Sequence, residues 1–425
     1  MGNIVKKEYY KITFKFSSPL CLGSGENDET DKDILKNSRG IPFIPGSTIA
    51  GVCRNALSDF IDTDIKKYFG NVDIATKENR RISSSKESKI LFYDAVITNG
   101  NPIISVRDSV ALDEFRTAID GAKFDMEVLE PGVTFETFIE QNFENEDEKS
   151  VASLVADEFV NGRVFFGAKT MRGYGSITDV CVKKCTFLFN NKETTEAWLD
   201  FDMYSESDLW EPYLPIETKK DNTTLVLTLK QVGGISIRKY ITEVRSEDEK
   251  IVPDQVQLMV STDGEVLPTI PGSSWAGAFR HHMSSLGLPK EEIADLFGKA
   301  EGNKDKKRSR IRFSETVING ASEKTLSRNA IDRFSGGTVG TALFTERTYY
   351  NGETKLTISV EGEVGSNVAR CISASICDLS NGFLAVGGLS SIGRGVFKVA
   401  FLNGREVNNE SLYNDVMNIL SKEGM

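Results

Sequence analysis

The chain has 425 residues, more than one hydrophobic core ordinarily supports, so its length predicts two domains. No apolar run approaches the roughly 20 residues that span a bilayer, and we expect no membrane anchor. The net charge of −11 argues against a surface coated uniformly for nucleic acid, so any such binding has to use local basic patches.

Cysteine and histidine are too sparse for standard metal sites. The six cysteines form no C-x-x-C pair, and the two histidines are the neighbours His281 and His282. This pattern excludes a zinc site of standard spacing and favours a reducing, cytoplasmic compartment. The N-terminus MGNIVKKEYYKITFKF has neither a signal-peptide core nor Ser or Thr at position 6, so we expect neither secretion nor myristoylation.

The first predicted elements are a strand, an acidic loop and a helix. Side chains alternate along YYKITFKF (9–16), which predicts a strand, and the acidic loop ENDETDKD (26–33) follows. The phrase PFIPGSTIAGVCR (42–54) then predicts a tight Pro-Gly turn into a helix, with Ser47 as its N-cap.

Further along, ILFYDAVITNG (90–100) predicts one strand, and residues 106–128 predict an Arg-led β-hairpin with a glycine-containing excursion. A helix precedes the glycine-rich block NGRVFFGAKTMRGYGSI (161–177). Residues 186–222, with Trp198 and Trp210, read as a linker with its own packing.

The same series then repeats. Both helices carry the phrase P-x-I-P-G-S-x-x-A-G-x-x-R, and the final glycine blocks align without a gap. We therefore predict a duplicated α+β fold with two tandem RRM-like (ferredoxin-like βαββαβ) domains and hairpin insertions, over residues 1–185 and 223–425, joined by the linker 186–222. The second-copy segments are TLVLTLKQV (224–232), PTIPGSSWAGAFR (268–280), IRFSETVING (311–320), the hairpin 327–349 and NGFLAVGGLSSIGRGVF (381–397).

The helix starts are the first candidate RNA contacts. A helix N-terminus offers free backbone N–H groups and the positive end of a dipole, which suits phosphate. Ser47 and Ser273 lie at these starts, and Arg54 and Arg280 follow seven residues later, where an arginine could extend contact along a nucleic-acid backbone. The alternative is a capped turn with a surface arginine.

The glycine blocks and hairpins supply further candidates. Glycines permit close backbone approach, and basic neighbours suit a phosphodiester chain, although a plain tight turn and a surface hairpin remain the alternatives. The spacing fits neither a dinucleotide fingerprint nor a P-loop. The candidate RNA-binding residues here are Arg107, Lys169, Arg172, Gly173, Gly175, Arg328, Gly393, Arg394 and Gly395.

The order of these blocks, present twice over nearly the whole chain, resembles the RAMP superfamily, and most closely the backbone subunits of type III CRISPR effector complexes. The resemblance implies an RRM-like core in each half and a hairpin thumb that kinks a guide–target duplex. It also implies three partners: a CRISPR guide RNA, a complementary target RNA and other type III effector subunits.

The resemblance further implies that an aspartate ahead of the P-G-S phrase cleaves the target. By position Asp31 fits best, three residues before the apolar pair Ile34–Leu35, and Asp33 is the fallback. In the second copy Asp254 is the nearest equivalent, although Gln257 interrupts its apolar pair. Asp31 is also the expected ligand of a divalent metal, Mg²⁺ or Mn²⁺, completed by RNA oxygens; deprotonation of a 2′-OH is the other route.

The sequence therefore predicts a guide-RNA-binding subunit that cuts complementary target RNA at regular spacing, with stronger support for the first catalytic centre than for the second. Two alternatives stay open. One is a scaffold that binds guide RNA without cutting. The other is a guide-processing endoribonuclease, for which His281 and His282 are the only histidines.

Overall fold

The structure, a computed structural model, describes residues 4–23, 33–57, 68–76, 81–112, 118–216, 222–239, 253–262, 264–299 and 307–421. The chain divides into two compact units. Unit 1 comprises Met1–Ser105, Met126–Ala168 and Gly175–Lys219, and unit 2 comprises Val106–Asp125, Lys169–Tyr174 and Lys220–Met425. Two pieces of the first sequence copy thus belong to unit 2, while the boundaries at 185 and 222 stay a sequence prediction.

The described residues form helices and strands in the order that the two copies predict. The helices are α1 (Gly46–Ala56), α2 (Val151–Val160), α3 (Lys192–Leu199), α4 (Gly272–Ser285), α5 (Lys290–Phe297), α6 (Ser366–Asn381) and α7 (Leu412–Leu420). The first ten strands are β1 (Lys6–Phe16), β2 (Asn71–Thr76), β3 (Arg81–Lys86), β4 (Ile90–Phe92), β5 (Val96–Asn99), β6 (Ile104–Leu112), β7 (Ala118–Leu129), β8 (Thr134–Phe143), β9 (Ile177–Leu188) and β10 (Glu211–Pro212).

The remaining strands belong to the second copy. They are β11 (Asn222–Val232), β12 (Gly234–Ile235), β13 (Arg238–Lys239), β14 (Gln255–Gln257), β15 (Met259–Thr262), β16 (Glu265–Ile270), β17 (Ile311–Phe313), β18 (Thr316–Asn319), β19 (Ser322–Ile331), β20 (Thr338–Tyr350), β21 (Glu353–Glu361), β22 (Val396–Leu402) and β23 (Arg405–Glu406). The β6–β7 and β19–β20 pairs confirm the two predicted hairpins, here called the first and second hairpin.

Unit 1 contains an antiparallel sheet in the order β10-β9-β1-β8-β4, with β5 also paired to β8. Along the chain, β1, the β4–β5 segment, β8 and β9 are its first to fourth core strands, so their order across the sheet is 4-1-3-2. Helix α1 follows the first core strand and α2 follows the third, which gives the βαββαβ arrangement of the ferredoxin-like fold.

Unit 2 repeats this arrangement. Strand β11 lies between β22 and β21, and both β17 and β18 pair with β21. Helices α4 and α5 follow β11, and α6 follows β21. The α+β class and the two tandem RRM-like cores are therefore confirmed.

The alternation in β1 explains how the unit 1 sheet is covered on both faces. Tyr10, Ile12 and Phe14 are fully buried in the main core with α1 and α2. On the opposite face, Tyr9 packs in a second cluster with Trp210, contributed by the 186–222 stretch. Trp198 Nε1 donates to the Tyr9 hydroxyl at 3.1 Å. The stretch predicted as a linker therefore covers the outer face of this sheet as far as it is described.

Two details of the predicted elements are wrong. Each P-G-S helix begins at glycine with proline as N-cap, so Ser47 and Ser273 lie inside the first turn and cap nothing. Proline takes this place because its extended backbone directs the chain into the helix, and Pro45 O accepts from Thr48 N at 2.9 Å. The strand predicted over 90–100 is also broken, between β4 and β5, as is its second-copy counterpart between β17 and β18.

None of the helices in the described part of the chain combines the length and the hydrophobicity needed to cross a lipid bilayer.

Candidate nucleic-acid interface

Helices α1 and α4 present matching exposed faces. In each helix a serine, a glycine and an arginine stand at positions i, i+4 and i+7. These positions lie on one side of a helix, and the first and last of them are about 10 Å apart along its axis. All six residues are exposed, while the intervening apolar residues face the cores. We call these faces the Ser-Gly-Arg stripes; their members are Ser47, Gly51 and Arg54 on α1, and Ser273, Gly277 and Arg280 on α4.

The glycine in the middle of each stripe has no internal explanation. A Cβ built on Gly51 or Gly277 would meet no atom within 4 Å, and neither residue has a positive φ. Glycine inside a helix is destabilising by roughly 0.5–1 kcal/mol relative to alanine. In both copies this glycine leaves the helix backbone open to close approach from outside the fold.

The helix starts themselves are packed by protein. A Cβ on Gly46 would lie 2.2 Å from Phe92 O, and Gly46 N donates to Asp94 Oδ1 at 2.7 Å. In unit 2, a Cβ on Gly272 would lie 2.3 Å from Arg172 O. The break between β4 and β5 thus places Asp94 to bond the first N–H of α1, a role that the sequence did not suggest.

Arg107 is not exposed for RNA contact, contrary to its expected role at the head of a hairpin. It is 3% exposed, and its Nη1 and Nη2 atoms bind both carboxylate oxygens of Glu315 at 2.6 and 3.2 Å. The guanidinium also lies 5.7 Å from the centre of the Tyr174 ring. Glu315 occupies the second-copy position of Asp94, at the break between β17 and β18, so these two carboxylates serve different partners.

Two further arginines, Arg328 on β19 of the second hairpin and Arg394 in the second glycine loop, are also held by a carboxylate. Arg328 and Arg394 both bind the buried carboxylate of Glu346, and Arg394 also donates to the Tyr350 hydroxyl. Arg394 is 7% exposed, so the structure corrects its expected exposure, whereas the Arg328 side chain remains about one third exposed. Phe334, in the turn of the second hairpin, is 93% exposed, an exposed aromatic side chain that the sequence analysis did not single out.

The two glycine loops have the same backbone conformation. Lys169 and Leu389 adopt φ of 58° and 56° ahead of short 3₁₀ turns (Thr170–Arg172 and Ser390–Ile392). Gly175 and Gly395 are fixed by their own units, since a Cβ on each would lie 1.9 Å from Phe166 O or Val386 O. Their close approach therefore serves the fold rather than a ligand.

The loops differ in what surrounds them. A Cβ on Gly173 would lie 2.4 Å from Glu315 N, whereas one on Gly393 would meet nothing within 4 Å. The Lys169 ammonium lies 4.0 Å from the Phe124 ring, and Arg172 is exposed. Within unit 2, Arg312 Nε donates to Thr170 O at 3.0 Å, and burial lowers the Arg312 pKa to about 10, which leaves it charged at neutral pH. Of the predicted loop residues, Arg172 and Gly393 are the ones that lie exposed at the surface.

The acidic loop 26–33 has a second-copy counterpart in RSEDEKIVPD (245–254), and the described bases of these two acidic loops are built alike. Leu35 N donates to Leu22 O at 2.8 Å, and Leu258 N donates to Ile237 O at 2.7 Å. These matching bonds make Leu258 the structural counterpart of Leu35, and therefore Gln257 the counterpart of Ile34.

This correspondence aligns the candidate aspartates. Asp254 precedes Gln257 by three residues, as Asp31 precedes Ile34. Asp31 lies outside the described residues, and Asp33 is half-buried beside Ile34. Gln257 is buried; its Oε1 accepts from Ile237 N at 2.8 Å and its Nε2 donates to Thr269 O at 2.8 Å. Gln257, which interrupts the apolar pair, is thus a buried residue whose side-chain oxygen and nitrogen are both hydrogen-bonded within the fold.

The described residues give limited support to metal binding and to catalysis by histidine. Among them, no three His, Cys, Asp or Glu side chains are grouped closely enough to hold a metal ion, so the expected Mg²⁺ or Mn²⁺ site stays a prediction. His282 Nε2 and Asp378 Oδ2 are 2.7 Å apart. This pair joins α4 to α6, which explains His282 by a structural role without catalysis.

Comparisons with known proteins follow the internal repeat. A family model described as the RAMP superfamily matches residues 13–178 and 236–398, more than half of the chain and once in each copy. No curated protein sequence matches the chain. Among solved structures, the cryo-EM structure of the Type III-B Cmr-beta bound to cognate target RNA is similar, with 14% identity and a TM-score of 0.33 over 43% of this chain and 60% of that chain. A likeness this weak carries no argument about function.

Proposed function

Because this chain belongs to the RAMP superfamily, we propose that it is a guide-RNA-binding backbone subunit of a type III CRISPR effector complex. In this proposal the guide lies along the Ser-Gly-Arg stripes, a complementary target RNA pairs with the guide, and Asp31 cuts the target. Other effector subunits are the proposed protein partners.

The repeated stripe is the observation that carries the binding proposal. A phosphodiester backbone can approach the bare helix at Gly51 and Gly277, where no side chain of the described residues intervenes. An exposed serine hydroxyl and an arginine one turn to either side can then bond successive phosphates. Two such stripes on one chain suit a ligand that is itself a repeating polyanion.

Charge reversal in the stripes should weaken guide binding in a salt-dependent way. We expect Arg54→Glu and Arg280→Glu each to lower guide-RNA affinity by about fivefold to tenfold near 0.1 M salt. Each should also reduce the slope of log K against log salt by about 0.7, because one phosphate contact is lost on single-stranded RNA. Binding titrations at several salt concentrations measure both effects.

The matched control is Arg405→Glu, the same change at an exposed arginine on β23, away from both stripes in sequence. It should change the salt slope by much less. Equal effects of all three variants would indicate a general charge effect and would contradict binding at the stripes.

Replacing the stripe glycines with alanine should change the stability of the protein and its affinity for guide RNA in opposite directions. We expect Gly51→Ala and Gly277→Ala to stabilise the protein by about 0.5–1 kcal/mol, since each improves an open helix position. The added methyl group should nevertheless weaken guide binding, because it occupies the space where the RNA backbone approaches. Opposite signs in denaturant unfolding and in RNA titration support the proposal; a stabilised protein with unchanged affinity contradicts it.

A further inference from the structure

The described base of each acidic loop is hydrogen-bonded to a neighbouring strand, β7 in the first copy and β20 in the second. In the first copy, Ile34 N donates to Glu127 Oε2 at 3.0 Å, and Lys36 Nζ lies 3.2 Å from the same oxygen. Glu127 belongs to β7, the strand that returns from the first hairpin. The described base of the first loop is therefore held by a carboxylate on the hairpin strand.

The second copy also bonds the base of its loop to the hairpin strand, but through Asp254, three residues before the counterpart of Ile34. Thr345 N on β20 donates to Asp254 Oδ2 at 2.7 Å, and Asp254 N donates to Thr345 O at 2.8 Å. Here the carboxylate stands in the loop and the backbone N–H stands on the hairpin. Asp254 thus bonds both backbone groups of Thr345: its carboxylate accepts from the N–H, and its own N–H donates to the C=O.

Burial makes the loss of either bond costly. Ile34 is 3% exposed and Thr345 is 5% exposed, so water replaces a lost acceptor poorly at either N–H group. The loop base and the hairpin strand are therefore held in one relative position in each copy, which is the condition for an acid on the loop to act at a fixed place along a bound strand.

We propose that Glu127 and Asp254 are positioning residues that fix the base of each acidic loop against the neighbouring strand, β7 or β20, and that Asp254 consequently holds its loop base and does not cut. This inference rests on the proposed function only for its effect on cleavage. In the first copy Glu127 performs the holding, which leaves the cutting role to Asp31. In the second copy the aspartate at the corresponding position is the one that holds.

Conservative variants distinguish holding from cutting. A holding carboxylate needs only an acceptor oxygen, which Asp254→Asn and Glu127→Gln retain, whereas Asp254→Ala and Glu127→Ala remove it. A cutting aspartate needs its charge and loses its function in both variants. All four variants are examined as the full chain, first free and then in the assembled effector with guide and complementary target RNA.

Amide hydrogen exchange in the free chain tests the holding bonds without reference to cleavage. We expect exchange at Thr345 to rise about tenfold or more in Asp254→Ala, with slow exchange kept in Asp254→Asn; Ile34 should respond in the same way to the Glu127 pair. Unchanged exchange in both alanine variants would overturn the proposal.

Cleavage ladders in the assembled effector test the second part. Glu127→Ala should slow the Asp31-dependent cut at unchanged guide affinity, with rescue by Glu127→Gln, and both Asp254 variants should leave the number of cuts unchanged. Loss of a cut in Asp254→Asn, with slow Thr345 exchange retained, would make Asp254 a catalytic residue and overturn the assignment. If the parent complex makes no cut, the proposed cleavage fails and the exchange data alone decide the holding role.

Discussion

Replacing Asp31 with alanine should remove one cut from the target-cleavage ladder of the assembled complex while target binding is kept. The rate of that cut should fall by at least about 100-fold, because an acid or base group positioned at the reacting atoms contributes roughly 10²–10⁴-fold. The position of Asp31, three residues before the buried Ile34, motivates this expectation. Gel analysis of end-labelled target RNA measures which cut is lost.

Asp33→Ala is the matched control, since it removes an acid from the same loop two residues away. Loss of the cut in Asp33→Ala alone would transfer the catalytic role to Asp33. A ladder unchanged in both variants would favour the scaffold that binds guide RNA without cutting. Chelation of divalent metal by EDTA should abolish cleavage, with recovery on added Mg²⁺, if the carboxylate acts through a metal ion.

Removing Arg107 should destabilise the protein severely although this residue touches no proposed RNA contact. We expect Arg107→Ala to reduce the free energy of unfolding by about 3–5 kcal/mol, because it leaves the buried carboxylate of Glu315 without its ion-pair partner. Both side chains are less than 5% exposed, so solvent provides little compensation. Denaturant unfolding followed by circular dichroism measures the loss.

An exposed ion pair on the same hairpin provides the comparison. Lys123 Nζ lies 3.1 Å from Asp108 Oδ1, but its side chain is 59% exposed, so Lys123→Ala should cost less than about 1 kcal/mol. Replacing Arg107 and Glu315 together by Met and Leu should recover most of the stability. Equal small losses for Arg107→Ala and Lys123→Ala would contradict the buried role.

The elements that the sequence predicted well are those set by local pattern. The alternation in β1 and β11 and the apolar spacing of α1 and α4 depend only on near neighbours, and their repetition in two copies doubled the signal. The order of the core strands followed because the βαββαβ pattern leaves few topologies. Exposure of Arg54 and Arg280 followed from the same helical periodicity.

The residues that the sequence misplaced depend on distant partners. Arg107 looked like the exposed head of a hairpin because nothing nearby shows its partner Glu315, 208 residues away in the chain. The burial of Arg394 was missed for the same reason, because its partners Glu346 and Tyr350 come from the second hairpin. Ser47 looked like an N-cap because serine favours that position, but the helix begins at Gly46, which packs closely on Phe92, so the N-cap is Pro45, two residues earlier.

The division of the chain into units bears on whether the two sequence copies are separable. Along the chain, membership changes from one unit to the other five times, because residues 106–125 and 169–174 belong to unit 2. A truncated protein that starts at residue 223 would lack Arg107 and leave Glu315 buried without its cation. The two sequence copies therefore do not coincide with the two compact units, and the shortest polypeptide that retains an intact unit 2 has to include part of the first copy.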